Sequence, residues 1–134
     1  MKLKIKMLTI IALLVTVISC VTTTPVALPE KYNLDNDLKA VSRVSTVRVS
    51  NWDQVDDQSV MFTANGGKCY LLILDRTLEA MDSKIGLMGN SSSIQAGTDK
   101  IYIGSSSNKR FYTIEKIYEL DGYDQAKEIK ERLK

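Results

Sequence analysis

Asp53, Asp56 and Asp57 stand within five residues of one another, in the run Trp52-Asp53-Gln54-Val55-Asp56-Asp57-Gln58. Carboxylates this close could do two kinds of chemistry. One is hydrolysis, in which one carboxyl holds a proton and its neighbour activates water. The other is Ca²⁺ binding, which needs several oxygen ligands. The run lacks the Asp-x-Asp-x-Asp-Gly loop and the distal glutamate of a calcium loop, and a solvated acidic turn leading into a strand accounts for it without any ligand. Trp52 is the sole tryptophan. It reads either as an exposed anchor for a partner or glycan, or as a cap on a small core. Cys69 reads as a reactive thiol or as a buried small hydrophobe inside an apolar run. The chain has no histidine. The commonest general base and metal ligand is therefore missing, and neither a Ser-His-Asp nor a Cys-His device can be built. No phosphate or dinucleotide fingerprint is present, and a zinc site would have only Cys69 and carboxylates. No metal site, no cofactor and no enzyme activity are expected.

The elements that must position these residues follow from periodicity. β-Branched residues at 41, 44, 46, 47 and 49 predict a strand over Val41–Ser50, and Asn51-Trp52-Asp53 a bend. Gln58–Thr63 and Lys68–Leu74 predict two strands joined at Asn65-Gly66-Gly67, a hairpin signal because glycine tolerates positive φ. Lys68–Leu74 is apolar on both faces and belongs in the centre of a sheet. Asp75–Met81 reads as a helical turn with Leu78 and Met81 inward. Lys84–Met88 reads as a weak strand, Ile94–Gly97 leads into a turn at Thr98-Asp99, Lys100–Gly104 reads as a strand and Ser105–Lys109 as a polar loop. Arg110–Leu120 reads as one long strand, with Tyr112, Ile114, Tyr118 and Leu120 on one parity. After Asp121 as N-cap, Tyr123, Ala126, Ile129 and Leu133 fall at helical spacing. The expectation is an α+β fold: a small antiparallel β-sheet of about five or six strands with a C-terminal amphipathic helix docked on it. Residues 41–134 form this single domain, and 20–40, with both prolines, read as a tether.

The N-terminus carries an address. Lys2, Lys4 and Lys6 precede an apolar run of about a dozen residues, too short for the roughly 20 needed to span a bilayer, so residues 1–19 read as a signal peptide rather than a transmembrane helix. Val17-Ile18-Ser19-Cys20 resembles the lipobox of bacterial lipoproteins. The resemblance implies that Cys20 is acylated and begins the mature chain, whereas ordinary signal cleavage would leave it a plain cysteine. Two or more acyl chains give stable membrane anchoring where one gives only marginal binding. Val21, in place of the aspartate that marks inner-membrane retention, implies the outer membrane, facing the periplasm. Loss of the three leader lysines would take the basic count from 18 to 15 against 16 acidic residues, and the net charge from +2 to −1. With no basic stripe, no nucleic-acid partner is expected.

A second resemblance covers Val47 to about Ile117. Asn51–Gln58, Tyr70-Leu71-Leu72-Ile73-Leu74 and Ile94–Ile101 look like a domain-of-unknown-function family of small Gram-negative envelope proteins. That resemblance implies a fold and a compartment and no activity. The expected function is a lipid-anchored envelope protein that binds an envelope partner or periplasmic ligand, with contacts at Trp52, Asp53, Asp56 and Asp57. The alternatives are a carboxylate- or metal-dependent hydrolase using the three aspartates, and a structural spacer.

Overall fold

The computed structural model describes residues 27–45, 49–64, 66–79, 85–87, 92–105 and 107–134. Among the described residues there are nine strands, a 3-10 turn at Glu30–Tyr32 and one α-helix: β1 Lys39–Ala40, β2 Arg43–Ser45, β3 Val49–Gln54, β4 Ser59–Ala64, β5 Cys69–Leu74, β6 Ile85–Leu87, β7 Ser93–Gln95, β8 Lys100–Ser105, β9 Asn108–Leu120 and α1 Tyr123–Leu133. One antiparallel sheet runs β3-β4-β5-β9-β8-β6, with β1 also on β9, and β2 pairs with β7 as a separate ribbon. The expected α+β class holds as a mostly β fold with one C-terminal helix. The main path of the sheet has six strands, as expected, and the two-residue β1 adds a seventh beside β9.

β5 is the centre, as its apolar run predicts. All six of its residues are buried, and they alternate between two cores. Cys69, Leu71 and Ile73 join Tyr32, Leu34, Leu38, Tyr118, Leu120 and the helix residues Ala126, Ile129 and Leu133. Tyr70, Leu72 and Leu74 join Val60, Phe62, Ile101, Ile103, Tyr112 and Ile114, together with Val44 and Ile94 from the ribbon. The helix therefore covers one face. On the other, the sheet curls until β4 and β8 share a core.

The β4–β5 hairpin closes where the glycines stand. Gly66 and Gly67 have φ of 94° and 78°, which glycine adopts without the Cβ penalty. The Ala64 N–H donates to the Lys68 carbonyl at 2.8 Å.

β9 departs from a single parity. Leu72 faces Ile117 while Leu74 faces Ile114, so two steps on β5 match three on β9. The extra residue is a β-bulge. It lets the even-numbered Tyr112 and Ile114 share the curled face with the odd-numbered Ile117, and sends Tyr118 and Leu120 to the helix face.

Several expectations are corrected. The Val41–Ser50 strand is two pieces, β2 and β3, with 46–48 outside the described residues. Asn51-Trp52-Asp53 is the middle of β3, not a bend. Residues 75–79 form no helical turn, although Leu78 is buried; Met81 lies outside the described residues. Of the expected Ser105–Lys109 loop, Ser105 belongs to β8 and Asn108 and Lys109 to β9, and Ser105 pairs with Asn108. The helix cap is Gly122 rather than Asp121. Tyr123 is 78% exposed and leaves the apolar stripe to Ala126, Ile129 and Leu133. The described part of the expected tether belongs to the fold: Tyr32, Leu34 and Leu38 are buried, and β1 pairs with β9.

Candidate functional site

The acidic run is divided by the strand it sits on. Asp56 occupies the turn after β3, and its carboxylate is 6% exposed. One oxygen accepts from the Tyr32 hydroxyl at 2.7 Å and the Lys31 ammonium at 2.8 Å. The other accepts from the Ser59 hydroxyl at 2.6 Å and the Gln58 backbone N–H at 3.0 Å. Burial by itself would raise the Asp56 carboxyl, but Lys31, Ser59, the Gln58 N–H and Tyr32 outweigh it and hold the group below its ordinary range. The same contacts act on the partners. Hydrogen bonding to Asp56 raises the Lys31 ammonium, and burial first, then Asp56, raises the Tyr32 hydroxyl. Asp56 is thus an anion with its acceptor positions filled, which ties the N-terminal segment to the β3–β4 turn.

Asp57 is 65% exposed and meets only Lys31 and Tyr32, at 3.4 and 3.2 Å. Asp53 points to the helix side and forms an ion pair with Lys130. Asp56 and Asp57 therefore meet at Lys31 and Tyr32 while Asp53 stands apart, and among the described residues no group of three His, Cys, Asp or Glu could hold a metal ion. Trp52 is half-buried on the opposite face of β3. Its ring lies 5.1 Å from Phe62, which in turn lies 5.1 Å from Tyr70. Cys69 is a free, buried thiol, 3.7 Å from the Thr63 hydroxyl. Cys20 lies outside the described residues.

A second polar network fastens the same N-terminal segment. The Tyr118 hydroxyl accepts from the Leu34 N–H at 3.1 Å and lies 2.9 Å from Asp35 and 3.1 Å from the Tyr32 carbonyl. Lys116 pairs with Asp35 at 2.8 Å, which lowers the Asp35 carboxyl, with the Tyr118 hydroxyl adding to the effect.

A groove of about 120 Å³ lies open between α1 and the β3-β4-β5 end of the sheet. Met61, Cys69 and Ala126 form its floor, and Asn51, Asp53, Thr63, Tyr123, Lys127 and Lys130 its rim. Ligand pockets that enclose a small molecule run to about 300–1,000 Å³. This groove is smaller than such a pocket. Of the lining residues the sequence singled out Asp53 and Cys69, but not Tyr123, Lys127 and Lys130 as a polar set. Their spacing of four and three residues marks a second helical stripe beside the buried one, and assigning Tyr123 to the core hid it.

A model of a family of unknown function, DUF6491, matches residues 3–134. The chain belongs to DUF6491. The match takes in almost the whole chain, well beyond the Val47–Ile117 stretch that carries the resemblance in sequence. No curated protein and no solved structure matches this DUF6491 chain.

Proposed function

We propose that this DUF6491 protein is a lipid-anchored component of the cell envelope that acts by binding another envelope protein. The observation that carries the reading is the division of the acidic run: Asp56 is saturated by four donors, Asp53 is paired with Lys130, and the open feature beside them is a groove with an apolar floor and a cationic rim. A hydrolase needs a proton-holding carboxyl near a free one, and Asp56, held as a carboxylate, supplies neither role. Anchoring through Cys20 rests on the Val17-Ile18-Ser19-Cys20 lipobox and the short apolar leader, and the outer membrane on Val21.

Cells expressing wild type or Cys20→Ala are labelled with a palmitate analogue, and their two membranes are separated. Label lost on substitution, with wild type in the outer membrane, supports the anchor. A photo-crosslinking residue in place of Tyr123 then reports what sits on the groove. Capture of one envelope protein, abolished by Lys127→Glu, supports the binding reading. An unlabelled protein free in the periplasm overturns the anchor, and a crosslinker that captures nothing overturns the groove.

A further inference from the structure

β3 is an end strand of the main sheet, and among the described residues no strand pairs with its outer edge. Natural sheets guard such edges with charges, lysine above all, with proline, bulges or very short strands. β3 is six residues long, Val49-Ser50-Asn51-Trp52-Asp53-Gln54, with no lysine or proline; its one charge, Asp53, is paired with Lys130, and its bulge lies at the Val49–Asn51 end, outside the Trp52–Gln54 stretch.

The register fixes which backbone groups are free. The Val55 N–H donates to the Ser59 carbonyl, so Val55 and Ser59 are a hydrogen-bonded pair. Antiparallel pairs alternate between bonded and non-bonded, so Asp53 and Asn51 also turn their backbone groups towards β4. The N–H and C=O groups of Trp52 and Gln54 consequently point outward, ready to bond another strand. The next hairpin agrees: Ala64 bonds Lys68, which turns the even-numbered residues of β4 to β5 and its odd-numbered residues to β3.

Trp52 pairs with Phe62, and Phe62 with Tyr70, so three aromatic rings form a ladder across β3, β4 and β5 that ends at this edge. We propose that β3 pairs antiparallel with β3 of a second copy of this chain about a two-fold axis at Trp52. In that register Trp52 faces its own counterpart, and the ladder runs on unbroken through six rings. Asn51 of each copy faces Asp53 of the other, an amide opposite a carboxylate, on the helix side of the sheet. Two-fold pairing centred on Asp53 would oppose two like charges, which is destabilising in a cross-strand pair. Pairing centred on Gln54 would drive Trp52 into the β3–β4 turn of the other copy. The Trp52 register alone satisfies the outward backbone groups, the rings and the charges together.

The inference goes beyond the binding role proposed above and depends on neither the lipid anchor nor the groove. Its test uses full-length chains. One carries Asn51→Cys and the other Asp53→Cys, each with a different epitope tag, and the membranes are treated with a mild oxidant. Cross-strand neighbours in a non-bonded pair have Cα atoms about 4.5 Å apart, within disulfide reach. A mixed disulfide dimer is expected when both chains are present, with little from either alone, because in this register each cysteine sits away from its own counterpart. Asn51→Asp, which puts two acidic groups opposite each other, lowers the dimer fraction of otherwise wild-type protein, and Asn51→Lys raises it. Equal crosslinking by either single variant, capture of a different polypeptide in place of the second copy, or no crosslink in a normally folded pair overturns the proposal.

Discussion

A buried carboxylate that accepts four hydrogen bonds stabilises a fold only while it is ionised. Asp56 is such a group, joining Lys31 and Tyr32 to Ser59 and Gln58. Replacing it by alanine leaves those donors without their acceptor, and the expected cost is about 2–3 kcal/mol. Asp57→Ala, one residue on and 65% exposed, is expected to change stability by less than about 0.5 kcal/mol. Urea unfolding at neutral pH separates the two. The pH dependence has a definite sign. The folded-state pKa of Asp56 lies below its ordinary value, so its contribution is complete above about pH 4 and is lost as pH falls through the depressed folded value. Asp35, lowered by Lys116 and Tyr118, acts in the same direction. Unfolding free energy should therefore fall on acidification below about pH 4, and fall less steeply in Asp56→Asn. The sequence displayed these aspartates as one cluster. It could not display that Asp53 turns away to the helix, or that two of the four partners of Asp56, Lys31 and Tyr32, arrive from more than twenty positions away.

Local pattern and distant pairing also divide what was legible among the elements. The apolar run of β5 and the glycine pair at 66–67 announced a central strand and its hairpin, because both signals are local. The bulge in β9 was hidden, since a single parity was the natural reading of Arg110–Leu120 and only the mismatch with β5 reveals the extra residue. The N-terminal segment was hidden too: prolines and threonines read as tether, while Tyr32, Leu34 and Leu38 find their burial against a strand about eighty residues later. The bulge gives a sharp prediction. Glu115 is exposed, so Glu115→Ala should shift stability by less than about 0.5 kcal/mol. Deleting Glu115 takes out the extra residue, so β9 steps once for each step of β5 and Ile114, Ile117, Tyr118 and Leu120 keep their faces. Thermal unfolding followed by circular dichroism should show a cooperative transition for both the Ala and the deletion variant, and loss of cooperativity in the deletion would place the extra residue elsewhere in β9. Gly122 gives a second prediction. Its φ of 109° and ψ of −167° lie in a region open essentially to glycine, and Gly122→Ala should cost about 1–3 kcal/mol, seen as a lowered Tm.

At the scale of the whole molecule, the packed N-terminal segment changes how far the domain can stand from a membrane. Leu28 already packs against the helix-side core. If Cys20 carries the lipid, the chain between anchor and domain is the stretch from 20 to 28, which at about 3.3–3.6 Å per residue reaches at most about 30 Å. A tether extending to residue 40 would have allowed more than twice that distance. On the proposed anchor the domain would be confined beside the bilayer, where a partner anchored in the same membrane would meet it at high effective concentration. The sole tryptophan makes the confinement measurable. Energy transfer from Trp52 to an acceptor placed in the lipid headgroups should be strong in wild type. Inserting a dozen Gly and Ser residues after Val21 should weaken it, because a flexible linker adds mean distance roughly as the square root of its length. The same insertion lies before the first packed residue, so the Tm of the domain should not move. Transfer that ignores the insertion would mean that a face of the domain itself holds it against the membrane. The cationic helix end, with Lys127, Lys130, Arg132 and Lys134, would then be the surface to reverse in charge, and transfer that fell with added salt would separate headgroup attraction from apolar burial.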